Sequence, residues 1–388
     1  MDSEWRNTTW GELATLEYGG LSKQDYSDSG SYRAYGTNGP VGWTEKVEVG
    51  GPGVIVGRKG AYRGVHFSPG AFGVIGTAFY LRPKVELDIK WAYYRLLTLD
   101  LNGMDSGSAI PSTSRHDFYR VKVAVPPIQT QRAIASVLGA LDDKIELNGK
   151  MSRTLDETAQ TIFKSMFPGI GETSDRSSIA AAKLESLVTM TKGRSYKSTE
   201  LAASDTALVT LKSFLRFGGY RTDGLKGYTG SYKPEQVIEP GEIVVALTDV
   251  TQAADVIGNP ATVLPDTAYS VLVASLDTAV VRPTQGVPKS FVYFLMRTSS
   301  FKQHARAHTT GTTVLHLNPK HLLTYSVGDV DLDEASSFDA AVSPMLDRLR
   351  LCAAESVTLK RLRDTLLPKL LSGELQVRDA EAIVEEAV

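Results

Sequence analysis

Two stretches of the chain carry apolar residues at intervals of three and four positions, the pattern of a helix with one buried face. In residues 128–167 one row of this face is Ile134, Leu141, Asn148, Leu155 and Ile162. In residues 331–376 the matching row is Phe338, Met345, Cys352, Leu359 and Leu366. Each row steps by seven residues, which is coiled-coil spacing, and a helix of this length is a rod of roughly 50 Å. Both rows are apolar toward their ends and small or polar in the middle.

These two helices belong to an internal repeat. Shifted by 204 residues, residues 128–167 align without a gap on residues 332–371, and Gly107 falls on Gly311 by the same shift. Upstream, Leu13 resembles Leu184 with a shift of 171 residues. The chain is therefore predicted to be two copies of one unit, each a globular domain followed by a long helix. Pairing of the two helices is expected, and packing of each helix only on its own domain is the alternative.

The regions between the helices alternate in the manner of strands and turns. Pro-Gly turns precede residues 54–60 and 242–250, and residues 91–99 and 290–301 fit short amphipathic helices. The predicted fold class is α+β, with two mixed, β-rich domains arranged as a pseudo-two-fold repeat. The predicted segments are a first domain at 1–127, a helix at 128–167, a linker at 168–178, a second domain at 179–330, a helix at 331–376 and an acidic tail at 377–388.

Composition narrows the class of protein. A chain of 388 residues with 42% apolar content is long enough for two independent cores. Cys352 is the single cysteine, so an internal disulfide is excluded and a reducing, cytoplasmic location is expected. The start of the chain lacks the apolar run of a signal peptide, and no stretch reaches the length of a membrane span.

The net charge of −2 hides a segregation of charge along the chain. Residues 51–85 and 297–325 contain lysine and arginine but no aspartate or glutamate, and residues 192–233 are also basic on balance. The acids concentrate in residues 329–347 and in the tail. Basic segments that are also rich in Gly, Thr and Tyr favour a surface that faces phosphates.

Candidate DNA-binding residues lie in these basic segments. Residues 57–64 combine glycine backbone, three cations and a tyrosine, where arginine suits guanine and lysine suits phosphate. In the first domain the predicted contacts are Thr37, Asn38, Arg58, Lys59, Tyr62, Arg63, Ser112 and Arg115. In the second domain they are Lys212, Arg221, Lys226, Thr248, Thr251, Gln252, His308, Thr310 and Thr312.

Enzymatic motifs are scarce. The chain contains no phosphate loop for ATP, no G-x-S-x-G elbow and no H-E-x-x-H motif. Residues 167–171 imitate a methyltransferase cofactor loop, but they follow a helix where that loop requires a strand. A metal-dependent enzyme remains an alternative, because His304, His308, His316 and His321 lie close together in sequence. A pure assembly scaffold that uses only the helices is the third hypothesis.

Several motifs resemble a known family. They are residues 54–60 (VIVGRKG), Pro126-Pro127-Ile128, residues 141–145 (LDDKI) and residues 366–375 (LLPKLLSGEL). With the shifted repeat, they make nearly the whole chain resemble the specificity (S) subunit of type I restriction-modification systems. The second copy departs from the first in having Ala246-Leu247-Thr248-Asp249 in place of the Gly-Arg-Lys-Gly loop.

The resemblance implies a function without catalysis. Each globular part would be a target-recognition domain that reads one half of a split sequence in double-stranded DNA. The helices would form an antiparallel coiled coil that sets the spacer between the halves. Two methyltransferase (M) subunits would dock along the helices and motor-nuclease (R) subunits would join them, so S-adenosylmethionine, Mg²⁺ and ATP would belong to these partners. The helix residues concerned would be Ile134, Leu138, Leu141, Ile145, Leu155, Ile162, Met345, Leu349, Leu359 and Leu366.

Overall fold

A computed structural model describes residues 5–104, 110–170, 182–216, 219–251, 253–266 and 268–387. The chain divides into two compact units. The first unit consists of Met1–Glu146 and Thr358–Val388, and the second unit is Leu147–Val357. Each unit contains one β-rich domain and part of each long helix.

The first unit is built from short strands, mostly antiparallel. Its strands are β1 (Arg6–Thr9), β2 (Ala14–Tyr18), β3 (Tyr32–Gly36), β4 (Gly39–Thr44), β5 (Gly53–Gly57), β6 (Val65–Ser68), β7 (Phe72–Val74), β8 (Ala78–Pro83) and β9 (Lys122–Val125). Its helices are α1 (Trp10–Leu13), α2 (Ile89–Leu97), α3 (Arg115–Arg120) and the first part of α4 (Ile128–Met166). One sheet has the order β2-β8-β5-β6, a second has the order β4-β3-β7, and β1 pairs with β9.

The core of the first unit explains these elements. Strand β5 follows the Pro52-Gly53 turn, is buried along its whole length and lies between β8 and β6. Helix α2 begins where the Asp88 carboxylate accepts a hydrogen bond from the Trp91 amide at 2.8 Å, and it buries Trp91 and Tyr94 completely. Each such aromatic side chain contributes on the order of 2 kcal/mol through burial.

The second unit repeats this plan with more loops. Its strands are β10 (Ala182–Lys183), β11 (Val188–Lys192), β12 (Thr206–Val209), β13 (Lys226–Gly227), β14 (Val237–Ile238), β15 (Ile243–Ala246), β16 (Thr248–Asp249), β17 (Pro260–Thr262), β18 (Val271–Ala274), β19 (Thr278–Pro283), β20 (Thr309–Thr310), β21 (Leu315–Leu317) and β22 (Ser326–Gly328). Its helices are α5 (Lys289–Leu295), α6 (Ser299–Ala307) and α7 (Pro319–Leu323). Its sheets have the orders β11-β19-β15-β17, β13-β12-β18-β14, β16-β21-β20 and β10-β22.

Strand pairing confirms the repeat and corrects its register. Ala14 pairs with Pro83 in the first unit, and Val188 pairs with Pro283 in the second, so the starts of the two copies differ by 174 residues. Leu13 therefore corresponds to Leu187, and the shift of 171 predicted from the sequence is wrong by three residues. Leucines recur every three positions in this segment, so the sequence alone fits both shifts.

The predicted long helices are present. Helix α4 has 39 residues, and α8 (Leu332–Ser372) has 41. Helix α8 passes through Pro344, which lies at an exposed position of the helix. It ends before Gly373, whose φ of 78° only glycine adopts readily.

The helices α4 and α8 pair with opposite directions in both units. In the second unit Asn148 contacts Glu355, and the Phe163 ring lies 5.3 Å from the Phe338 ring. In the first unit Asp142 of α4 contacts Arg363 of α8 at 2.7 Å. Residue numbers thus fall along α8 as they rise along α4, which confirms the antiparallel pair.

Each helix also packs on the domains. In the first unit Ile134 and Leu138 share one core with Trp91, and in the second unit Phe163 shares one core with Phe291. Helix α9 (Val377–Glu385) follows α8 and buries Ala380 and Val384 in the core of the first unit. Within the described ranges, no helix has both the length and the apolar character needed to cross a bilayer.

Candidate nucleic-acid interface

In the first unit, a loop after β5 lies against the turn between β3 and β4. The Thr37 hydroxyl donates to the carbonyl of Thr77 and accepts from the amides of Arg58 and Lys59, at 3.3 Å each. Thr37 is buried. The prediction that Thr37 contacts DNA is corrected accordingly, because its hydroxyl is occupied in holding the loop backbone.

Residues 111–113 hold the other side of this loop. The amide of Gly60 donates to the Pro111 carbonyl at 3.0 Å, and the amide of Thr113 donates to the Arg58 carbonyl at 2.8 Å. Lys59 and Ser112 form an isolated bridge. Helix α3 begins directly after this segment, where Ser114 accepts from the Asp117 amide at 3.2 Å. The fold thereby brings Ser112 and Arg115 beside Arg58 and Lys59, residues that are far apart in sequence.

We call the loop after β5, the turn between β3 and β4, the end of β2 and the start of α3 the rim of the first domain. Two arginines of this rim lie over the ring of one tyrosine. The guanidinium carbons of Arg58 and Arg115 lie 4.6 Å and 4.5 Å from the centre of the Tyr18 ring. Nη1 of Arg58 donates to the Gly76 carbonyl at 2.7 Å, and Nη1 of Arg115 donates to the Leu16 carbonyl at 3.3 Å. We call Tyr18, Arg58 and Arg115 the arginine–tyrosine cluster.

Sequence reasoning missed Tyr18. This residue ends strand β2 and leaves 47% of its side chain exposed. It lies about 40 residues before Arg58 and about 100 before Arg115, so only strand pairing brings the three together. The available signal was an aromatic residue at a strand end immediately before Gly19-Gly20.

Other predicted residues of this rim are at the surface. Lys59 and Asn38 are exposed, and Tyr62 is 78% exposed at the end of its loop. Within the described ranges, Arg58, Lys59 and Arg115 take part in no ion pair. These three cations are therefore not neutralised by ion pairs with the described residues.

Arg63 does not belong to this exposed set. Its side chain is only 4% exposed, and its Nη2 donates to the carbonyls of Leu101 and Asn102 at 3.2 Å and 2.7 Å. The prediction that Arg63 contacts DNA is corrected for this reason. Its guanidinium joins the loop after β5 to the segment after α2, inside the domain.

The second unit builds the corresponding rim with the same backbone bonds. The amide of Leu317 donates to the Leu247 carbonyl at 2.8 Å, as Thr113 does to Arg58 in the first unit. Thr248 pairs with His316, as Lys59 pairs with Ser112. The strand registers place Leu247, Lys192 and Pro319 where the first unit has Arg58, Tyr18 and Arg115. The scaffold is shared and the side chains that it presents are different.

Polar residues that follow β15 are used within the second domain. Thr248 is buried, and its hydroxyl donates to the Asp277 carboxylate at 3.0 Å. The buried Asp249 carboxylate accepts from the amide and hydroxyl of Thr251 at 2.8 Å each and from the Val256 amide at 2.6 Å. Burial by itself would raise the pKa of Asp249, but these hydrogen bonds prevail and hold that pKa below its ordinary value.

These contacts correct the predicted DNA contact of Thr248, which is buried, whereas the half-buried Thr251 stays a predicted contact. The hydroxyls of Thr248 and Thr251 are occupied by carboxylates of their own domain, so they shape the loop that follows β15. Gln252 lies outside the described residues.

The cations of the second domain line a cleft that is also lined by Asp249 and Thr251. The cleft has a volume of about 1180 Å³ and lies beside the segment between β12 and β14. Its basic lining residues on this segment are Lys212, Arg216, Arg221 and Lys226. Arg221 forms a bidentate ion pair with Asp223, and that ion pair raises the pKa of Arg221. This side of the second domain thus mixes both signs of charge, unlike the rim of the first.

The four histidines do not form one metal site. The ring of His308 lies 4.4 Å from that of His304 and 5.1 Å from that of His321, whereas His316 lies on β21. Nε2 of His304 is 2.8 Å from the His321 carbonyl, and Nδ1 of His308 is 2.8 Å from the His304 carbonyl. Among the described residues, no group of three His, Cys, Asp or Glu side chains could hold a metal ion. The metal-enzyme alternative is not favoured.

Three predicted contacts of this region differ in their exposure. His308 is half-buried by the ring stacking just described, and Thr310 and Thr312 are exposed in or beside the β20–β21 turn. The two threonines stay predicted contacts.

The predicted helix residues lie in the interior of their units. Ile134, Leu138, Leu141, Leu359 and Leu366 are buried, and Ile145, Leu155, Ile162, Met345 and Leu349 are half-buried. They stabilise the helix pair and its attachment to the domains.

Known proteins resemble this chain in sequence. Residues 2–157 match the family described as type I restriction modification DNA specificity domain. The specificity subunit of the type I restriction enzyme MjaVIII from Methanocaldococcus jannaschii is 20% identical over 311 residues, which are 76% of this chain and 72% of that protein. The specificity subunit of the EcoprrI enzyme from Escherichia coli is 28% identical over 130 residues, 33% of this chain and 32% of that protein.

A solved structure has the same fold. The crystal structure of the S subunit of a type I restriction-modification system from M. genitalium matches with a TM-score of 0.59 and 16% identity, covering 95% of this chain and 96% of that one. The family match, the relatives and the shared fold confirm the resemblance that the sequence indicated. Residues 2–157 carry the type I restriction modification DNA specificity domain, and the chain is similar over most of its length to the specificity subunits of type I restriction enzymes.

Proposed function

We propose that this chain is the DNA-recognition subunit of a type I restriction-modification complex and reads a bipartite, asymmetric site in double-stranded DNA. One observation carries the proposal. The two units hold their rim loops with equivalent backbone hydrogen bonds, yet the half-buried Arg58 of the first unit corresponds to Leu247 of the second, which is buried in the core of that unit. A common scaffold with different side chains at equivalent positions is what two different half-sites require.

The charge of the first rim supports a polyanionic ligand. Arg58, Lys59 and Arg115 lie together without acidic partners in the described part of the chain. Uncompensated cations attract phosphate, and arginine and tyrosine side chains are also able to contact bases. The net charge of −2 does not oppose this reading, because the acids lie elsewhere in the chain.

The helix pair supports the partner assignments. An antiparallel pair of long helices gives each domain a fixed attachment and leaves outer faces for two methyltransferase subunits, with motor-nuclease subunits joining for restriction. S-adenosylmethionine, Mg²⁺ and ATP would be bound by these partners, and this chain would be non-catalytic. The complex would act on DNA in the cytoplasm.

Co-expression with its methyltransferase subunits tests the proposal. The complex should methylate adenine or cytosine at a split site, detected by single-molecule sequencing of the host DNA, and should bind DNA with a steep salt dependence. Methylation without sequence preference would contradict it.

A second comparison separates recognition from pure scaffolding. Replacing Lys59 and Arg58 by glutamine should weaken DNA binding by the complex while assembly with the methyltransferase subunits stays intact. Unchanged DNA binding would favour the scaffold hypothesis. Glutamine at Lys46, whose ammonium group pairs with Asp25, is the matched control because it removes a surface cation of the same domain.

A further inference from the structure

We propose that Arg58 and Arg115 each read a guanine in the half-site bound by the first domain. This inference rests on the proposed function and assigns base chemistry to one of its two domains. The arginine–tyrosine cluster carries it.

The cluster holds both guanidinium groups in place before any ligand arrives. Each lies over the Tyr18 ring and gives one Nη1 hydrogen bond to a backbone carbonyl, that of Gly76 or that of Leu16. Arg58 also approaches the Phe79 ring at 5.7 Å. A guanidinium fixed in this way loses little conformational freedom on binding, and the restriction favours ligands of one geometry.

The remaining donors fit the edge of one base. Within the described ranges no acceptor occupies Nε or Nη2 of either arginine, so each keeps a two-donor edge. Guanine offers two acceptors, O6 and N7, on its major-groove edge, and a bidentate arginine is the commonest specific contact to it. Adenine has a donor at the position of O6 and would oppose one of the two donors.

Phosphate is the competing ligand of arginine, and the neighbouring side chains suit it better. Lys59 and Tyr62 of the same loop are exposed, whereas Arg58 and Arg115 are half-buried. Flexible exposed lysines follow the DNA backbone, while side chains held in a fixed direction read bases. We therefore expect Lys59 and Tyr62 of the first domain to contact phosphate, and Arg58 and Arg115 to contact bases.

The second unit has no equivalent of the cluster, because Leu247, Lys192 and Pro319 occupy the corresponding positions. The guanine requirement should accordingly be confined to one half of the site. Substitutions at Arg58 or Arg115 should leave the other half-site unchanged.

The experiment uses the complex with its methyltransferase subunits and duplexes that carry its mapped site. Replacing one guanine of the first half-site by 7-deazaguanine removes N7 and should slow methylation by the unaltered complex about tenfold. With Arg58→Lys or Arg115→Lys, the penalty for one such guanine should largely disappear, and the mapped motif should become degenerate at that position.

Arg33→Lys is the matched control. Arg33 is exposed, stacks on Trp43 at 3.8 Å and lies at the opposite end of β3 from the rim. This variant should retain the motif. Tyr18→Phe keeps the ring and should retain it as well, whereas Tyr18→Leu should relax it by freeing the arginines.

Two results would overturn the inference while leaving the proposed function intact. One is a first half-site without guanine on either strand. The other is an Arg58→Lys or Arg115→Lys complex that weakens equally on all sequences, which would mark the residue as a phosphate contact. Absence of any bipartite site for the unaltered complex would instead refute the proposed function.

Discussion

At the scale of single residues, the rim of the first domain separates side chains that build the loop from side chains that face outward. Thr37 and Arg63 point inward and bond to backbone, while Lys59 and Tyr62 of the same loop are exposed. Hydrogen-bonding groups are useful in both roles, so residue type alone does not separate them. The two roles predict different consequences of substitution.

Thr37→Val should destabilise the chain by about 1 kcal/mol, because valine loses the hydrogen bond that the hydroxyl donates to the Thr77 carbonyl, while the amides of Arg58 and Lys59 keep their bonds to that carbonyl at 3.0 Å each. Denaturant unfolding of the purified chain measures the change. Thr37→Ser, which keeps the hydroxyl, should cost much less. Equal stability of the valine variant and the parent would show that the hydroxyl does not hold the loop.

Arg63→Met should change the stability of the chain, whereas Lys59→Met should change its binding to DNA. The first removes buried hydrogen bonds to Leu101 and Asn102 and should lower the free energy of unfolding by about 1–3 kcal/mol without changing the recognised sequence. The second should leave stability nearly unchanged and reduce the slope of log K against log salt by about one. Thermal unfolding and DNA titrations at several salt concentrations distinguish them, and a reversed pattern would refute the assignment.

At the scale of secondary-structure elements, the α4–α8 pair is unusual in its middle. Asn148 is buried, and its side-chain amide donates to Glu355 at 2.9 Å, while Cys352 lies 3.6 Å from the Met151 sulfur. Toward the ends the pair is closed by leucines and phenylalanines. A buried polar residue in a coiled-coil seam costs stability and restricts the register in which helices pair.

Asn148→Leu should therefore stabilise the chain by about 1 kcal/mol or more while loosening the choice of register. Thermal unfolding should show the first effect. Methylation of sites whose spacer is longer or shorter by about three base pairs, the length of one heptad, should show the second. Glu157→Leu, at an exposed position of α4, is the control and should change neither. A destabilised Asn148→Leu chain would show that the polar contact itself holds the pair together.

At the scale of the whole molecule, two copies of one unit suit the split target proposed above. The copies agree in strand order and in the hydrogen bonds that hold their rim loops, and they differ in the residues presented there. Helices α4 and α8 run through both units and contribute to the core of each. We therefore expect that the length of the helices can change without changing the surfaces of the two domains.

A paired insertion tests this separation. Adding seven residues to α4 after Ser152 and seven to α8 at the facing position near Leu351 should lengthen the spacer of the recognised site by about three base pairs. Seven helical residues span about 10 Å, and one base pair spans about 3.4 Å. Both half-sites should stay the same in methylation mapping. Inserting four residues instead should abolish methylation, because it rotates the apolar row of one helix away from its partner helix. Altered half-sites would contradict the proposal that helix length sets the spacer.

The fold was largely predictable from local pattern. A seven-residue period over some forty positions predicts each of the two long helices, because only a helix buries such a row; Pro-Pro and Pro-Gly flank the first helix, and Gly373 follows the second. The repeat at 204 residues then implied two similar domains. The charge-segregated, glycine-rich loops pointed to a polyanionic partner, and the comparisons with type I specificity subunits agree with that assignment.

The composition of the site was decided only by tertiary structure. Tyr18 joined Arg58 and Arg115 because β2, β5 and the start of α3 meet at one rim, a consequence of strand pairing over long sequence distances. Arg63 is not part of the exposed site, because its side chain donates hydrogen bonds to backbone carbonyls inside the domain. Periodicity reports which face of an element is apolar, whereas the direction of a loop side chain depends on partners that the sequence places elsewhere.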